Sequence, residues 1–239
     1  MGKRGRIPLA SDIIIEAIRS RILTQRLPEG FRLPSESELM EEYGLGRVTV
    51  RQAIRVLEAD GLVDVRRGPS GGVFVRHADI QQVGEAFTLL FGFQETRLRD
   101  FLEFRNLLEP RVASLAAIHA NDEQRAEIVR VGSKSFDHAG GSADLHTLIA
   151  KSSGNDVISF AFEALHLSFV RHIRRGRVGP EDAEGTRRAH SRIARLIADR
   201  DAEGAAKAMA THLAAYEEYL RVNGLIDEPV VPREPWENG

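Results

Sequence analysis

Three histidines with similar surroundings are the residues of this sequence that could hold a metal ion. His146, His190 and His212 each have apolar residues three or four positions away, as on the inward face of a helix. Three such rings on three separate helices can converge on a divalent ion at roughly 2.0–2.1 Å and leave positions for water or a ligand. The alternative for each ring is a core histidine whose nitrogens are satisfied by hydrogen bonds.

Two further residues suggest a cavity near these histidines. Arg105 interrupts an apolar helical stripe, and a charge taken out of water needs a partner. Glu109, one turn later, offers an internal ion pair; the other interpretation is that Arg105 binds the carboxylate of an organic acid. His166 also lies on an apolar helical face, where it either lines the cavity or belongs to the core.

A predicted helix that begins at Arg47 carries the residue types with which proteins read DNA. Arg47 and Arg51 are one turn apart on a line separate from the apolar positions, and Gln52 lies beside them. Arginine pairs bidentately with guanine or phosphate, and glutamine pairs with adenine. The short side chain of Thr49 permits close approach near the start of the helix. The alternative, a solvated arginine face, is disfavoured by the elements around this helix.

Those elements are a helix, a turn, a second helix and a strand pair. Ser35 is a natural N-cap for the first helix, and Glu38 completes a capping box. A glycine-containing turn at 44–46 leads into the second helix, as in a helix-turn-helix. Alternating apolar residues at 62–65 and 72–75 predict a hairpin, which would be the wing of a winged helix.

The turn of this hairpin carries two arginines, Arg66 and Arg67, which can reach phosphate or the minor groove. Further residues expected to border the DNA are Arg32, Ser35, Glu36 and Gly68.

Composition limits the classes of protein that these motifs can belong to. The chain has 239 residues, 42% of them hydrophobic and 28% charged, which fits an ordinary globular protein of one or two domains. No apolar run approaches the ~20 residues that span a bilayer, and no signal peptide opens the chain. The absence of cysteine excludes disulfides and thiolate metal sites and leads us to expect a cytoplasmic location.

The charge distribution favours nucleic acid at the N-terminal end. Residues 1–76 carry 13 Lys and Arg against 10 Asp and Glu, or +3, whereas the remainder carries −5. Residues 77–84 are predicted as a linker, and the proline-containing residues 227–239 as a disordered tail.

The N-terminal motifs resemble the GntR family of transcription regulators. Residues 30–36 (Gly-Phe-Arg-Leu-Pro-Ser-Glu) and 47–51 (Arg-Val-Thr-Val-Arg) are similar to the family's helix-turn-helix. The resemblance implies a winged-helix DNA-binding domain over residues 8–76. In two places the sequence departs from the family: Gly46 replaces the usual Ser or Thr, and Ser37 replaces a frequent Arg. The first departure removes a hydroxyl that would contact phosphate or cap the helix, and the second removes one expected DNA contact.

Residues 85–226 resemble the all-helical effector domain, of the FCD type, in the FadR-like branch of that family. The matching segments are 104–109, 146–155, 189–193 and 210–213. The resemblance implies a mainly α protein whose C-terminal helical bundle binds an effector and dimerises. Asn155 closes one matching segment and is either an effector contact or a structural loop residue.

Some members of that branch bind a divalent metal beside the effector cavity. The resemblance therefore implies that His146, His190 and His212 are ligands of an ion such as zinc, nickel or manganese. The family's fourth ligand is an Asp four residues before the first histidine, and this position is Ser142 here. Asp144 is the nearest carboxylate that could replace it.

Together these features predict a transcription regulator, expected to be a repressor, that binds DNA at one end and a small organic acid at the other. Two recognition helices read two half-sites, so we expect a homodimer on a palindromic operator and no membrane partner. One alternative is an enzyme whose three-histidine centre activates water. Because no nucleophile motif or partnered base stands out, we do not expect the protein to be an enzyme. Another alternative is a metal sensor, in which the ion itself is the signal.

Overall fold

The computed structural model describes residues 9–68, 70–77, 79–134, 141–173 and 180–231, apart from the side chains of 141–144, 167–173 and 180–183. The chain divides into two compact units, Met1–Asp79 and Ile80–Gly239. The described residues are mainly helical, as predicted. None of their helices is both long and apolar enough to cross a bilayer.

The N-terminal unit has the predicted winged-helix arrangement. Its elements are α1 (Ala10–Thr24), α2 (Glu36–Tyr43), α3 (Arg47–Ala59), β1 (Val63–Arg66) and β2 (Gly72–Val75). Ser35 and Glu38 form the predicted capping box of α2, since each side chain bonds the other residue's backbone N–H. Gly44 ends α2 in the left-handed conformation, with φ of +64°, which allows the tight turn into α3.

The core of this unit lies between α1, the two helices of the motif and one face of the hairpin. The strands are antiparallel and pair Val63 with Val75 and Val65 with Val73. Its most completely buried large side chains are Ile14, Leu39 and Leu57. The hairpin is therefore held against the helices by the inward half of its alternating pattern.

A short segment before α2 pairs with the hairpin, which the sequence pattern did not predict. The backbone of Leu33 donates to Val73 O at 2.8 Å, and that of Val75 donates to Phe31 O at 2.8 Å. Arg32, between them, forms a bridge with Phe74. This pairing fixes Arg32 beside the wing.

The C-terminal unit is a bundle of seven helices among the described residues. They are α4 (Ile80–Gln94), α5 (Leu98–His119), α6 (Asp122–Gly132), α7 (Gly141–Lys151), α8 (Asp156–Ile173), α9 (Pro180–Ala198) and α10 (Ala202–Val222). Helices α5, α9 and α10 pack against one another around the main core. That core includes Val112, Leu145, Ile149, Ile193, Ile197, Met209 and Leu213.

A close approach between α6 and α9 fixes the position of α9 in the bundle. A Cβ atom added to Gly132 would lie 2.7 Å from Ala194 Cβ, so only glycine fits at this crossing. Ser191 donates its hydroxyl to Gly132 O at 2.9 Å in the same place. Together the two contacts fix the position of His190, which lies next to Ser191 on α9.

Two of the predicted boundaries are wrong. Residues 80–84, expected in the linker, form the start of α4, because their apolar positions belong to that helix. Residues 227–231, expected in a disordered tail, are ordered against the start of α5. Leu98 N donates to Glu228 O, and Val230 N to Thr96 O, which leaves Val230 fully buried. The remaining tail, 232–239, lies outside the described residues.

Candidate functional site

The three predicted metal-binding histidines meet inside the helical bundle. His146 lies on α7, His190 on α9 and His212 on α10. The Nε2 atoms of His146 and His190 are 3.3 Å apart, and those of His190 and His212 are 3.2 Å apart. The candidate ligand atoms of the three residues all lie within 4.8 Å of one another. The apolar stripes of three helices thus bring three imidazole rings to one point.

This spacing fits a divalent metal ion. Two ligand atoms at 2.0–2.1 Å from a tetrahedral ion lie roughly 3.3–3.4 Å apart, close to the observed separations. Burial is the main cause that lowers the pKa of His190 well below its ordinary value and that of His212 to about 3. Both rings are therefore neutral at physiological pH, which is the form of histidine that binds metal.

A carboxylate on α5 orients the first of these rings. Glu109 Oε2 lies 2.5 Å from His146 Nδ1, so a proton on Nδ1 is donated to the carboxylate and Nε2 keeps its lone pair facing the other histidines. A carboxylate of this kind normally backs a metal-binding histidine and raises its basicity. The sequence pattern predicts Glu109 only as a partner of Arg105. The expectation that a metal-binding histidine has a carboxylate partner was the signal that could have identified it.

Arg105 completes the buried charge cluster. Its Nε donates to Glu109 Oε1, and both side chains are almost fully buried. Burial by itself would raise the pKa of Glu109, but the charges and hydrogen bonds of Arg105 and His146 outweigh it and hold this pKa well below its usual range. The carboxylate is therefore ionised. Of the two interpretations of Arg105, this geometry supports the internal ion pair.

The other two residues predicted to contact an effector have different surroundings. His166 on α8 is buried and stacks on Phe162, with ring centroids 5.6 Å apart. Burial is the main cause that lowers its pKa to about 3, and the charge of Arg105 acts in the same direction. Asn155 is exposed, and its Oδ1 accepts from the backbone N–H groups of Val157 and Ile158 at the start of α8. This contact matches the structural role considered for Asn155.

The side chains of the two residues expected as a fourth metal ligand lie outside the part of the chain that the structure describes. Ser142 and Asp144 lie in the first turn of α7, where the backbone but not the side chains is described. Among the described side chains, the three histidines define the site.

A second cluster of predicted functional residues lies on the outer face of α3. The opposite face of α3 is buried and consists of Val50, Ala53, Ile54 and Leu57. Arg47, Arg51 and Gln52 are exposed, and Thr49 is half-buried between the two faces. The helix thus keeps one face in the core and presents its polar face to solvent, as a DNA-reading helix requires.

Two of the predicted DNA contacts bind each other. Arg51 Nε donates to Glu36 Oε1 at 3.1 Å, which joins α3 to the start of α2. Ser35 uses its hydroxyl to cap α2, accepting from Glu38 N at 3.3 Å. Glu36 thus orients the guanidinium of Arg51 while leaving it 60% exposed.

The wing residues also have defined neighbours. The guanidinium of Arg66 lies 4.5 Å from the centroid of the Phe74 ring, and its Nε donates to Asp64. Arg32 Nη2 donates to Gly71 O at 3.2 Å, which ties it to the turn of the hairpin. Two further predicted residues, Arg67 and Gly68, are exposed in that turn.

Comparison with known proteins gives the same two domains. The family described as "Bacterial regulatory proteins, gntR family" matches residues 10–75, and the FCD domain matches residues 100–215.

Curated relatives and a solved structure extend over most of the chain. The HTH-type transcriptional repressor NanR of Enterobacter sp. (strain 638) is 30% identical over 227 residues, which cover 87% of this chain and 85% of that protein. The repressor of the same name from Citrobacter rodentium (strain ICC168) is 28% identical and covers 85% of this chain and 82% of its own length. The solved Streptococcus agalactiae GntR has a TM-score of 0.65 and 25% identity, covering 87% of this chain and 99% of its own.

The protein is therefore a DNA-binding transcription regulator with a C-terminal effector domain, and not an enzyme. It belongs to the GntR family, in the FadR-like branch that carries an FCD domain. Regulators of this family bind DNA operators and take up small-molecule effectors through the FCD domain.

Proposed function

We propose that this regulator is a repressor that binds a palindromic operator as a homodimer and leaves it when an organic acid binds beside a divalent metal. The observation that carries this proposal is the convergence of His146, His190 and His212, with Glu109 hydrogen-bonded to the first ring. The relatives named as repressors support repression rather than activation.

The donor set favours zinc, nickel or manganese. Three imidazole ligands leave at least one position of a four- to six-coordinate ion for another ligand. Such an ion would offer a carboxylate an electrophilic partner inside the bundle. Burial keeps the rings of His190 and His212 neutral, and Glu109 holds the ring of His146 in place. Ser142 or Asp144 is proposed to supply a further ligand.

A carboxylate effector fits this environment because cationic and neutral groups surround the place where it would bind. We assign His166 to the wall of the effector cavity, since its ring is buried close enough to Arg105 and His146 for their charges to lower its pKa. Arg105 acts mainly through Glu109, with which it is paired. We assign Asn155 the smaller role of shaping the start of α8.

For the homodimer we propose an apolar face on two helices that pack against each other, α4 and α8. Phe93 on α4 is 83% exposed, and Val83 and Leu90 lie on the same face at heptad-like spacing. On α8, Val157 and Phe160 are also exposed. Exposed apolar side chains concentrated on adjacent helices mark an interaction site, and a second copy is the partner that a palindromic operator requires.

For DNA we propose that Arg47, Thr49, Arg51 and Gln52 contact base edges or phosphates in the major groove. Arg66, Arg67 and Gly68 are proposed to contact the backbone or the minor groove from the wing. Arg32, Ser35 and Glu36 are proposed to position this surface through their contacts with the wing, α2 and Arg51.

The proposal is tested by selecting an operator from a random duplex library with the full chain, and then measuring operator affinity by fluorescence anisotropy. We expect a palindromic site bound by two copies. A panel of small organic acids should weaken operator binding at least tenfold with zinc-loaded protein, because only a ligand with differential affinity shifts the equilibrium. An acid response that is identical in metal-stripped protein would contradict the metal's role. A tenfold response to metal alone, with no response to acids, would instead make the protein a metal sensor.

A further inference from the structure

A groove between α9 and α10 borders the histidine cluster at His212. The groove has a volume of about 430 Å³, and His212 is one of its lining residues. Arg188 and Arg192 line it from α9, and Thr211 and Tyr216 from α10. A ligand that reaches the histidines from this side therefore passes two guanidinium groups.

The charge of the groove is unusual for this part of the chain. Residues 77–239 carry a net charge of −5, yet none of the described residues that line the groove is acidic. Arg188 Nη1 lies 3.5 Å from Glu184 Oε1, a carboxylate that it shares with Arg187. In the described part of the chain, no carboxylate forms an ion pair with Arg192. The groove thus has an excess of positive charge beside the histidines.

The two arginines are suited to hold a single anionic group together. Residues four apart on a helix lie one above the other, with roughly 5–6 Å between Cβ atoms. Guanidinium groups bind carboxylate or phosphate oxygens in bidentate fashion. Across the groove, the hydroxyl of Thr211 donates its proton to Lys207 O at 2.9 Å, so the donor facing an anion is the phenol of Tyr216. Burial raises the pKa of Tyr216 to about 12, and the phenol keeps its proton.

We propose that the effector is a dianion: one anionic group reaches the histidine cluster, and a second, carboxylate or phosphate, is bound by Arg188 and Arg192. This inference rests on the proposed function, because it requires an effector at the cluster. Ala189, Ala208 and Ala215 in the groove take the apolar or hydroxylated chain between the two charges. The second charge selects dianions over monoanions of the same length.

The test uses matched probes with the full-length, zinc-loaded protein. Isothermal titration compares succinate, glutarate, adipate and suberate with monocarboxylates of equal chain length, and 3-phosphoglycerate with glycerate. We expect at least one dianion to bind tenfold more tightly than its monoanion. The two series separate a second carboxylate from a phosphate.

Variants then locate the selectivity. In the double variant Arg188→Ala/Arg192→Ala, the dianion should lose at least tenfold in affinity while its monoanion changes by less than twofold. Arg195→Ala is the matched control, because Arg195 is exposed on the same helix but does not line this groove. The melting temperature of the ligand-free double variant should equal that of the wild type, since both arginines lie at the surface.

The outcomes separate this inference from the function on which it rests. If monoanions bind the wild type and are lost in His190→Ala, but dianions have no advantage, the effector site stands and the dianion inference is overturned. A dianion advantage that survives in the double variant also overturns it. If none of the probes binds, or if His190→Ala binds them all as well as the wild type, both proposals fail.

Discussion

Glu109 and His146 lie on different helices, α5 and α7, and the carboxylate of one is 2.5 Å from the Nδ1 atom of the other. This contact fixes the proton of His146 on Nδ1 and leaves Nε2 directed at His190. Because Arg105 holds the same carboxylate from the other side, a chain of buried polar contacts runs from an arginine to the histidine cluster.

Replacing Glu109 by Gln tests whether this carboxylate supports a metal ligand. Loss of the charge should weaken zinc affinity by about 10- to 100-fold, as is typical for a carboxylate behind a metal-binding histidine. Competition with a chelator of known affinity measures the change. Glu103→Gln is the control, because Glu103 is exposed on the same helix. Equal zinc affinity in wild type and Glu109→Gln would show that Glu109 has no part in metal binding.

Replacing Arg105 by Ala tests whether the arginine only pairs with Glu109 or binds the effector directly. The variant leaves the buried carboxylate of Glu109 without its guanidinium partner and with only the hydrogen bond of His146. Breaking a buried ion pair typically costs about 3–5 kcal/mol, so the melting temperature should fall strongly. If Arg105 acts through Glu109, the rise in melting temperature caused by an effector acid remains. If that rise disappears while the fold is retained, Arg105 binds the effector directly.

Replacing Arg51 by Ala tests the DNA-reading face of α3. Operator binding at fixed salt should weaken by about 1–3 kcal/mol if Arg51 contacts a guanine. Glu36→Gln should weaken binding less, because it removes only the group that orients Arg51. Arg130→Ala is the control, since this arginine is exposed and ion-paired in the C-terminal unit. An unchanged operator affinity in Arg51→Ala would mean that another face of the helix reads DNA.

The stability of the metal-free protein should fall as the pH falls. Burial lowers the pKa of His166 to about 3 in the folded state, whereas an unfolded histidine has a pKa near 6.5. Above pH 6.5 the folded and unfolded states are both neutral at this position. Between pH 6.5 and 3 the unfolded state binds the proton first, so stability is lost, by up to about 2 kcal/mol at pH 5.

Urea unfolding of chelator-treated protein at pH 7 and pH 5 measures this loss. His212 shifts in the same direction and adds to it. In His166→Gln the difference in unfolding free energy between the two pH values should be smaller. A difference as large as that of the wild type would show that His166 is already protonated, or exposed, in the folded protein.

The sequence predicted features that depend on local spacing. The capping box of Ser35 and Glu38 and the hairpin have signatures within a few residues, and the histidines follow helical stripes whose inward direction is set by periodicity. The contact of Glu109 with His146 joins residues 37 positions apart, and no local pattern specifies which helices are neighbours. The groove beside His212 also lies between two helices, α9 and α10, and no local pattern predicts that these two are neighbours.

The tail shows how composition can mislead. Its prolines and acidic residues are typical of disorder, but Val230 is buried against Leu98 and Phe101, and its backbone N–H is bonded to Thr96. Residues 227–231 are ordered by the buried side chain of Val230, by backbone hydrogen bonds to residues 96 and 98, and by the contacts of Asp227 with Arg97 and Arg99. Only the tertiary structure shows that the start of α5 offers this partner.

The metal content of the purified protein tests the proposed site most directly. Elemental analysis after purification without chelator or added metal should find about one divalent ion per chain in the wild type and none in His190→Ala. His119→Ala, which removes an exposed histidine outside the cluster, should retain the metal. A wild-type protein that is metal-free and also fails to bind added zinc, nickel or manganese would contradict the proposal and leave His146, His190 and His212 as core residues.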